Sequence, residues 1–133
     1  MVMDFTDYFD RGAKGSLKLR NNTQLSHKGL EKQVYNNTVI DSWHVGEIMS
    51  AEYTLVVDNG RDSKEVVKVL VVAGPEDAAV TIYGRANIEE KLITVTGNVD
   101  LSVFKLIVGP TREELAGARI IYSANYYHTL SDK

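Results

Sequence analysis

From Val39 to the end of the chain, apolar and polar residues alternate with a period of two, the mark of half-buried β-strands. "VIDSWHV" at 39–45 sets Ile40, Ser42 and His44 against Val39, Asp41, Trp43 and Val45. "AEYTLVV" at 51–57 puts Ala51, Tyr53, Leu55 and Val57 on one face. "DNGRD" at 58–62 is a turn, because Asn-Gly accepts positive φ cheaply. "KEVVKVLVVAG" at 64–74 begins half-polar and ends apolar on both faces, so Leu70 to Ala73 are expected to be covered on both sides. "AAVTIYG" is a strand, "RANIEE" a loop and "KLITVTG" a further strand. "NVDLSVFKLIVG" reads as one strand, with Leu101, Val103, Lys105 and Ile107 opposite Ser102, Phe104, Leu106 and Val108. In "PTREELAG", Thr111 followed three residues later by Glu114 has the form of a capping box, and Gly117 can end a helix. A short helix near 111–117 is therefore expected. "ARIIYSANYYHTL" closes the series, with Ala118, Ile120, Tyr122, Ala124 and Tyr126 on one face. About seven strands with turns every 8–12 residues predict an all-β fold, an antiparallel β-sandwich.

Residues 1–38 lack this rhythm. "DFTDYF" places Phe5, Tyr8 and Phe9 at the spacing of one helical turn, and "GSLKLR" alternates Leu17 and Leu19. The rest is polar and rich in turn formers. Such a segment is disordered or is an arm that orders against a partner, and its early aromatics favour docking. The expected organisation is an N-terminal arm, 1–38, and a sandwich domain, 39–133.

Composition narrows the function. The 133 residues suit one domain, with 44% hydrophobic and 25% charged residues. A net charge of −3 without a basic cluster speaks against nucleic acid as a partner. There is no cysteine, so disulfides, thiolate metal sites and thiol catalysis are excluded. The first residues do not read as a signal peptide, and no apolar run reaches the ~18 residues of a membrane helix. Folding in a cytoplasm is therefore expected, and the Asn21 and Asn36 sequons read as polar turns.

No constellation points to catalysis. His27, His44 and His128 are too scattered to suggest a zinc site. Asp58–Asp62 lacks the distal glutamate of a calcium loop, since Val69 stands at the twelfth position. Glu89–Glu90 and Glu113–Glu114 are sequence neighbours rather than facing carboxylates. No serine sits in a nucleophile elbow, and no glycine spacing fits a phosphate loop. No enzyme, metal or cofactor is expected. Trp43, Tyr53, Tyr83, Tyr122, Tyr126 and Tyr127 offer aromatic surface for a sugar or for a subunit contact.

Read together, "VIDSW" (39–43), "SAEYTLVVD" (50–58), "KVLVVAG" (68–74), "AVTIYG" (79–84), "KLITVTGNVDLSVFKLIVGP" (91–110) and "ARIIYSA" (118–124) resemble a β domain of marine phage, especially cyanophage, virion structural proteins. The similarity covers about two-thirds of the chain. Two departures stand out: "AGPED" where the family often has His-Asp-Gly, and the insert "TREELAG". The resemblance implies a β-sandwich without catalytic residues. It also implies a place in the virion, in tail, baseplate or neck, with other virion proteins and copies of itself as partners. A capsid decoration protein and a receptor- or glycan-binding module, with a host-surface glycan as ligand, are the alternatives. The residues expected at assembly contacts are Phe5, Tyr8, Phe9, Leu17 and Leu19 of the arm, Trp43 at the junction, and Tyr126 and Tyr127 on the last strand.

Overall fold

The computed structural model describes residues 9–11, 16–19, 23–26 and 32–129, with side chains from residue 33 onward. These residues are all-β, in two antiparallel sheets. From residue 32 on there are eight strands: β4 (Lys32–Val34), β5 (Thr38–His44), β6 (Ile48–Asp58), β7 (Lys64–Ala73), β8 (Ala78–Ile88), β9 (Ile93–Asp100), β10 (Val103–Pro110) and β11 (Ala118–His128). β4, β11, β6, β7 and β8 form the large sheet; β5, β10 and β9 form the small one. Three short strands, β1 (Phe9–Arg11), β2 (Ser16–Leu19) and β3 (Thr23–Ser26), extend the large sheet beyond β11.

The last strand organises the large sheet. One edge of β11 pairs with β6 along most of its length. Its other edge takes β3 at Ala124–Tyr127 and β4 at Ala118–Ile120, so two separate strands lie end to end against it. Val34 of β4 is 1% exposed, so the core reaches into the segment assigned to the arm.

The core lies between the two sheets and follows the period-two pattern. Ala51, Tyr53, Leu55 and Val57 of β6, Val67, Val69 and Val71 of β7, and Ala118, Ile120, Tyr122, Ala124 and Tyr126 of β11 face Phe104, Leu106 and Val108 of β10. Each large side chain sealed in this layer contributes roughly 1.5–3 kcal/mol of hydrophobic stabilisation.

Four local expectations change. The end of β7 is covered on one face only: Val69, Val71 and Ala73 are buried, whereas Leu70 and Val72 are about half exposed, at 44% and 56%. An apolar run is thus not proof of two-sided cover; here the small sheet lies on one face. The 91–110 stretch turns at Leu101–Ser102 rather than around Gly97. Leu101 and Ser102 both have positive φ, 51° and 63°, as the central residues of a tight hairpin turn require. Gly97 sits in mid-strand because Phe104 and Val80 leave no room for a side chain; a Cβ would lie 2.7 Å from Phe104. β8 runs on through "RANI", and the chain turns only at Glu89, at φ 73°. The expected helix is one 3-10 turn, Glu113–Leu115. Its capping box does not form, because the Thr111 hydroxyl donates to the carbonyl of Lys91 instead (2.8 Å).

Candidate interaction surfaces

A bulge in β5 sets up the most connected polar group. Leu106 of β10 pairs with Asp41 and Ile107 with Val39, leaving Ile40 as an extra residue. The bulge turns Ile40, Asp41 and Trp43 all inward, where strict alternation would bury only two of the three. Asp41 then lies 6% exposed between the sheets. Its Oδ2 accepts hydrogen bonds from the hydroxyls of Tyr53 (2.7 Å) and Tyr126. Trp43 Nε1 donates to the Tyr53 oxygen at 2.9 Å, and the Tyr122 hydroxyl donates to the carbonyl of Ile40 at 3.2 Å. Trp43 also packs on Phe104, with ring centroids 4.6 Å apart. Burial, then the Asp41 carboxylate, raises the Tyr53 and Tyr122 phenols well above the usual tyrosine range. This cluster ties β5 of the small sheet to β6 and β11 of the large one.

That cluster relocates two of the residues expected at assembly contacts. Trp43 and Tyr126 are core side chains, since an indole or phenol can be buried once its polar end has a partner. Tyr127, one residue on, points outward at 43% exposure. Phe5 and Tyr8 lie outside the described residues. Phe9 begins β1 and pairs with Leu19 of β2, while Leu17 pairs with Arg11; Phe9 is thus in a strand rather than a helical turn. His44, beside Trp43, is exposed, and its Nδ1 accepts the Gly46 N–H at 3.0 Å to shape the turn into β6.

A second buried acid fixes the crossing from β8 to β9. Glu65 of β7 is 3% exposed. Its Oε1 accepts the backbone N–H groups of Leu92 (3.1 Å) and Ile93 (3.2 Å), and its Oε2 is 2.5 Å from Nη1 of Arg85. Arg85 also donates to the carbonyl of Ile93 (3.3 Å). Alternation in "KEVVK" already sets Glu65 on the face of Val67 and Val69, but not the partners that make a buried glutamate tolerable there. Only the packing of the sheets brings Leu92, Ile93 and Arg85 to it.

Near this clamp lies a polar cleft of about 610 Å³, lined in part by Arg61, Ser63, Glu89, Glu90, Arg112 and Glu114. Three of its charged residues, Glu90, Arg112 and Glu114, are committed to one another. Both Arg112–Glu90 contacts are short, 2.8 and 2.7 Å, and this pairing raises the guanidinium pKa further. At the neighbouring turn, Asp58 accepts the Gly60 N–H at 2.7 Å, and Asn59 accepts those of Arg61 and Ser63. The Gly60 N–H, followed by Lys64, holds the Asp58 carboxyl below its ordinary pKa.

Among the described residues, the outer face of the large sheet carries several exposed large apolar side chains. Val56, Leu70, Val72, Ile121 and Tyr127 are exposed on it. Cross-strand pairing sets Val56 beside Ile121, and joins Val72 to Tyr127 through Ser50. Tyr83 of β8 reaches Glu52 on this face; partial desolvation and then that carboxylate raise its phenol pKa. Lys68 donates to Thr54 across the strands at 2.8 Å. The apolar residues fall in two groups, Val56 with Ile121 and Leu70 with Val72, separated by the row Lys68, Thr54 and Ser123.

Among known proteins, no family model matches the chain. No curated protein matches it. The crystal structure of the tailspike protein of Acinetobacter phage vB_ApiP_P1 aligns with 90% of this chain and 24% of its own, at 14% sequence identity and a TM-score of 0.34. The chain thus spans well under two-thirds of that protein's length, and a likeness of this size does not bear on function.

Proposed function

We propose that the chain is a structural subunit of a phage virion, of the tail, baseplate or neck, which assembles through its N-terminal segment and its sheet surfaces. The resemblance of residues 39–125 to phage virion domains supplies the phage context. The observation that carries the assembly role is the outer face of the large sheet, where Val56, Leu70, Val72, Ile121 and Tyr127 are all exposed. Repetition in a symmetric particle multiplies modest contacts of this kind into a stable structure. The strands β1–β3, added in order to β11, lengthen the same sheet and widen the surface it offers. A capsid decoration protein would use the same surfaces on the head. For a glycan module, four of the aromatic candidates, Trp43, Tyr53, Tyr122 and Tyr126, are buried, which leaves Tyr83 and Tyr127.

The test is incorporation into particles. The full chain should co-purify with virions and occupy tail, baseplate or neck density. A chain lacking residues 1–31 keeps β4 and its buried Val34, and should be depleted from particles at least tenfold. Full incorporation of the shortened chain would remove the arm from the mechanism. Absence of the full chain from particles would overturn the reading.

A further inference from the structure

The far edge of the large sheet is the strand most open to pairing. Among the described residues β8 is hydrogen-bonded to β7 alone, and it is 11 residues long. Long edge strands are usually protected by lysine, glutamate, proline or a bulge that interrupts pairing. β8, "AAVTIYGRANI", has one charged residue, Arg85, which is committed to Glu65. β9, the edge strand of the small sheet, lies on the same side of the sandwich, with Gly97 against Val80 of β8. It too has one charge, Asp100, in a chain that is 25% charged. Both layers therefore end on this side in edges depleted of charge.

The bulge of β8 has a symmetry of its own. Ile82 pairs with Val69 and Gly84 with Lys68, so Tyr83 is the extra residue. Pairing with outward positions of β7 turns Ala79, Thr81, Gly84, Ala86 and Ile88 outward, and Tyr83 joins them by reaching Glu52. Val80, Ile82, Arg85 and Asn87 lie on the inner side. Now let a second β8 run antiparallel to the first about a two-fold axis between Tyr83 and Gly84. Ala79 faces Ile88 of the other copy, Thr81 faces Ala86, and Tyr83 faces Gly84, all on the outer side. Val80 faces Asn87 and Ile82 faces Arg85, all on the inner side. In a strand without the bulge this register would set outward residues against inward ones. With one bulge in each copy, every facing pair lies on the same side of the sheet. Tyr83 covers the glycine of the other copy, the cross-strand arrangement that offsets a glycine's weakness in a sheet.

We infer that the chain forms a two-fold dimer in which β8 pairs antiparallel with β8 of a second copy, making one sheet continuous across both subunits. Roughly eight to twelve backbone hydrogen bonds would close over residues 79–88, since alternate facing pairs on each side of the axis exchange two each. The contact is isologous, so it closes at two copies. Exposed Ile88 gains Ala79 of the other copy as an apolar neighbour, and no charge is buried without a partner. The inference deepens the assembly reading above by naming one contact and its occupant.

The experiment uses the full chain, which contains no native cysteine to interfere. Thr81→Cys combined with Ala86→Cys places two facing pairs about 4.5–5.5 Å apart at Cα, within disulfide reach. Mild oxidation should give a covalent dimer. Thr81→Cys with Asn87→Cys, on opposite faces, should cross-link at least tenfold less. Equal cross-linking by both pairs would overturn the register. Sedimentation of the unmodified chain at tens of micromolar should show dimers, and a monomer there would overturn the pairing. Tyr83→Lys brings two like charges together at the axis and should weaken the dimer at least tenfold; an unchanged dimer constant would also refute it. Tyr83 is exposed, and an unchanged circular dichroism spectrum and melting temperature would confirm that the variant folds. A β8 dimer absent from particles would end the virion reading alone, while a monomer that enters particles would end this inference alone.

Discussion

Replacing Glu65 with alanine tests whether the buried clamp holds the two sheets in register. The side chain satisfies the N–H groups of Leu92 and Ile93 and pairs with Arg85. Leu92 and Ile93 are 0% and 1% exposed, so water cannot readily replace the lost acceptor. Two unsatisfied buried N–H groups cost about 1–3 kcal/mol each. Removing one partner of a buried ion pair costs about 3–5 kcal/mol, although Arg85, at 18% exposure, can recover some hydration. These terms share partners and do not add. The expected destabilisation is therefore about 3–5 kcal/mol, a large share of the roughly 5–15 kcal/mol that holds a domain together. For a chain of this size that lowers the melting temperature by roughly 10–20 °C. Trp43 is the sole tryptophan and is buried on Phe104, so its fluorescence reports urea unfolding directly. Glu65→Gln keeps one acceptor oxygen and should cost about half as much. Hydrogen exchange at Leu92 and Ile93 should accelerate in Glu65→Ala beyond what global destabilisation explains. A loss below about 1 kcal/mol, or no coupling between Glu65→Ala and Arg85→Ala in a double-mutant cycle, would refute the clamp.

Three further predictions use other parts of the core. Tyr126→Phe removes one donor from Asp41 and should cost about 1.5–3 kcal/mol by urea titration, with little change in Trp43 emission. Gly97→Ala forces a methyl group against Phe104 and Val80 and should cost about 1–3 kcal/mol; a neutral effect would mean that those side chains repack freely. The Tyr53 and Tyr122 pKa values are raised by folding, so the native state favours their protonated forms. The stability this contributes is fully present below the ordinary tyrosine pKa of about 10 and is lost as pH rises above it. Absorbance at 295 nm should therefore show two tyrosines ionising only with loss of near-ultraviolet circular dichroism; their independent ionisation in the folded protein would contradict the buried cluster.

The period-two pattern and its direct consequences are encoded locally, in the order of the residues. The inward faces of β6 and β11, from Ala51 to Val57 and from Ala118 to Tyr126, were legible because alternation alone selects them. The turn at 58–62 was legible because Asp, Asn and Gly bond their own backbone locally. Contacts distant in sequence settled the rest, and these exist only in the folded chain. Alternation cannot tell a face covered by a second sheet from one left open, and so misplaced Leu70 and Val72. It cannot foresee a bulge, which is defined by two strands, and the bulges at Ile40 and Tyr83 set the buried Asp41 cluster and the symmetry of the β8 edge. Nor does it distinguish a glycine that turns the chain from one that makes room: Gly97 lies in mid-strand because Phe104 and Val80 fill the space above it, and the turn falls at Leu101–Ser102. Trp43 and Tyr126, whose aromatic character suggested an interface, are buried because Tyr53 and Asp41, brought from other strands, satisfy their polar ends.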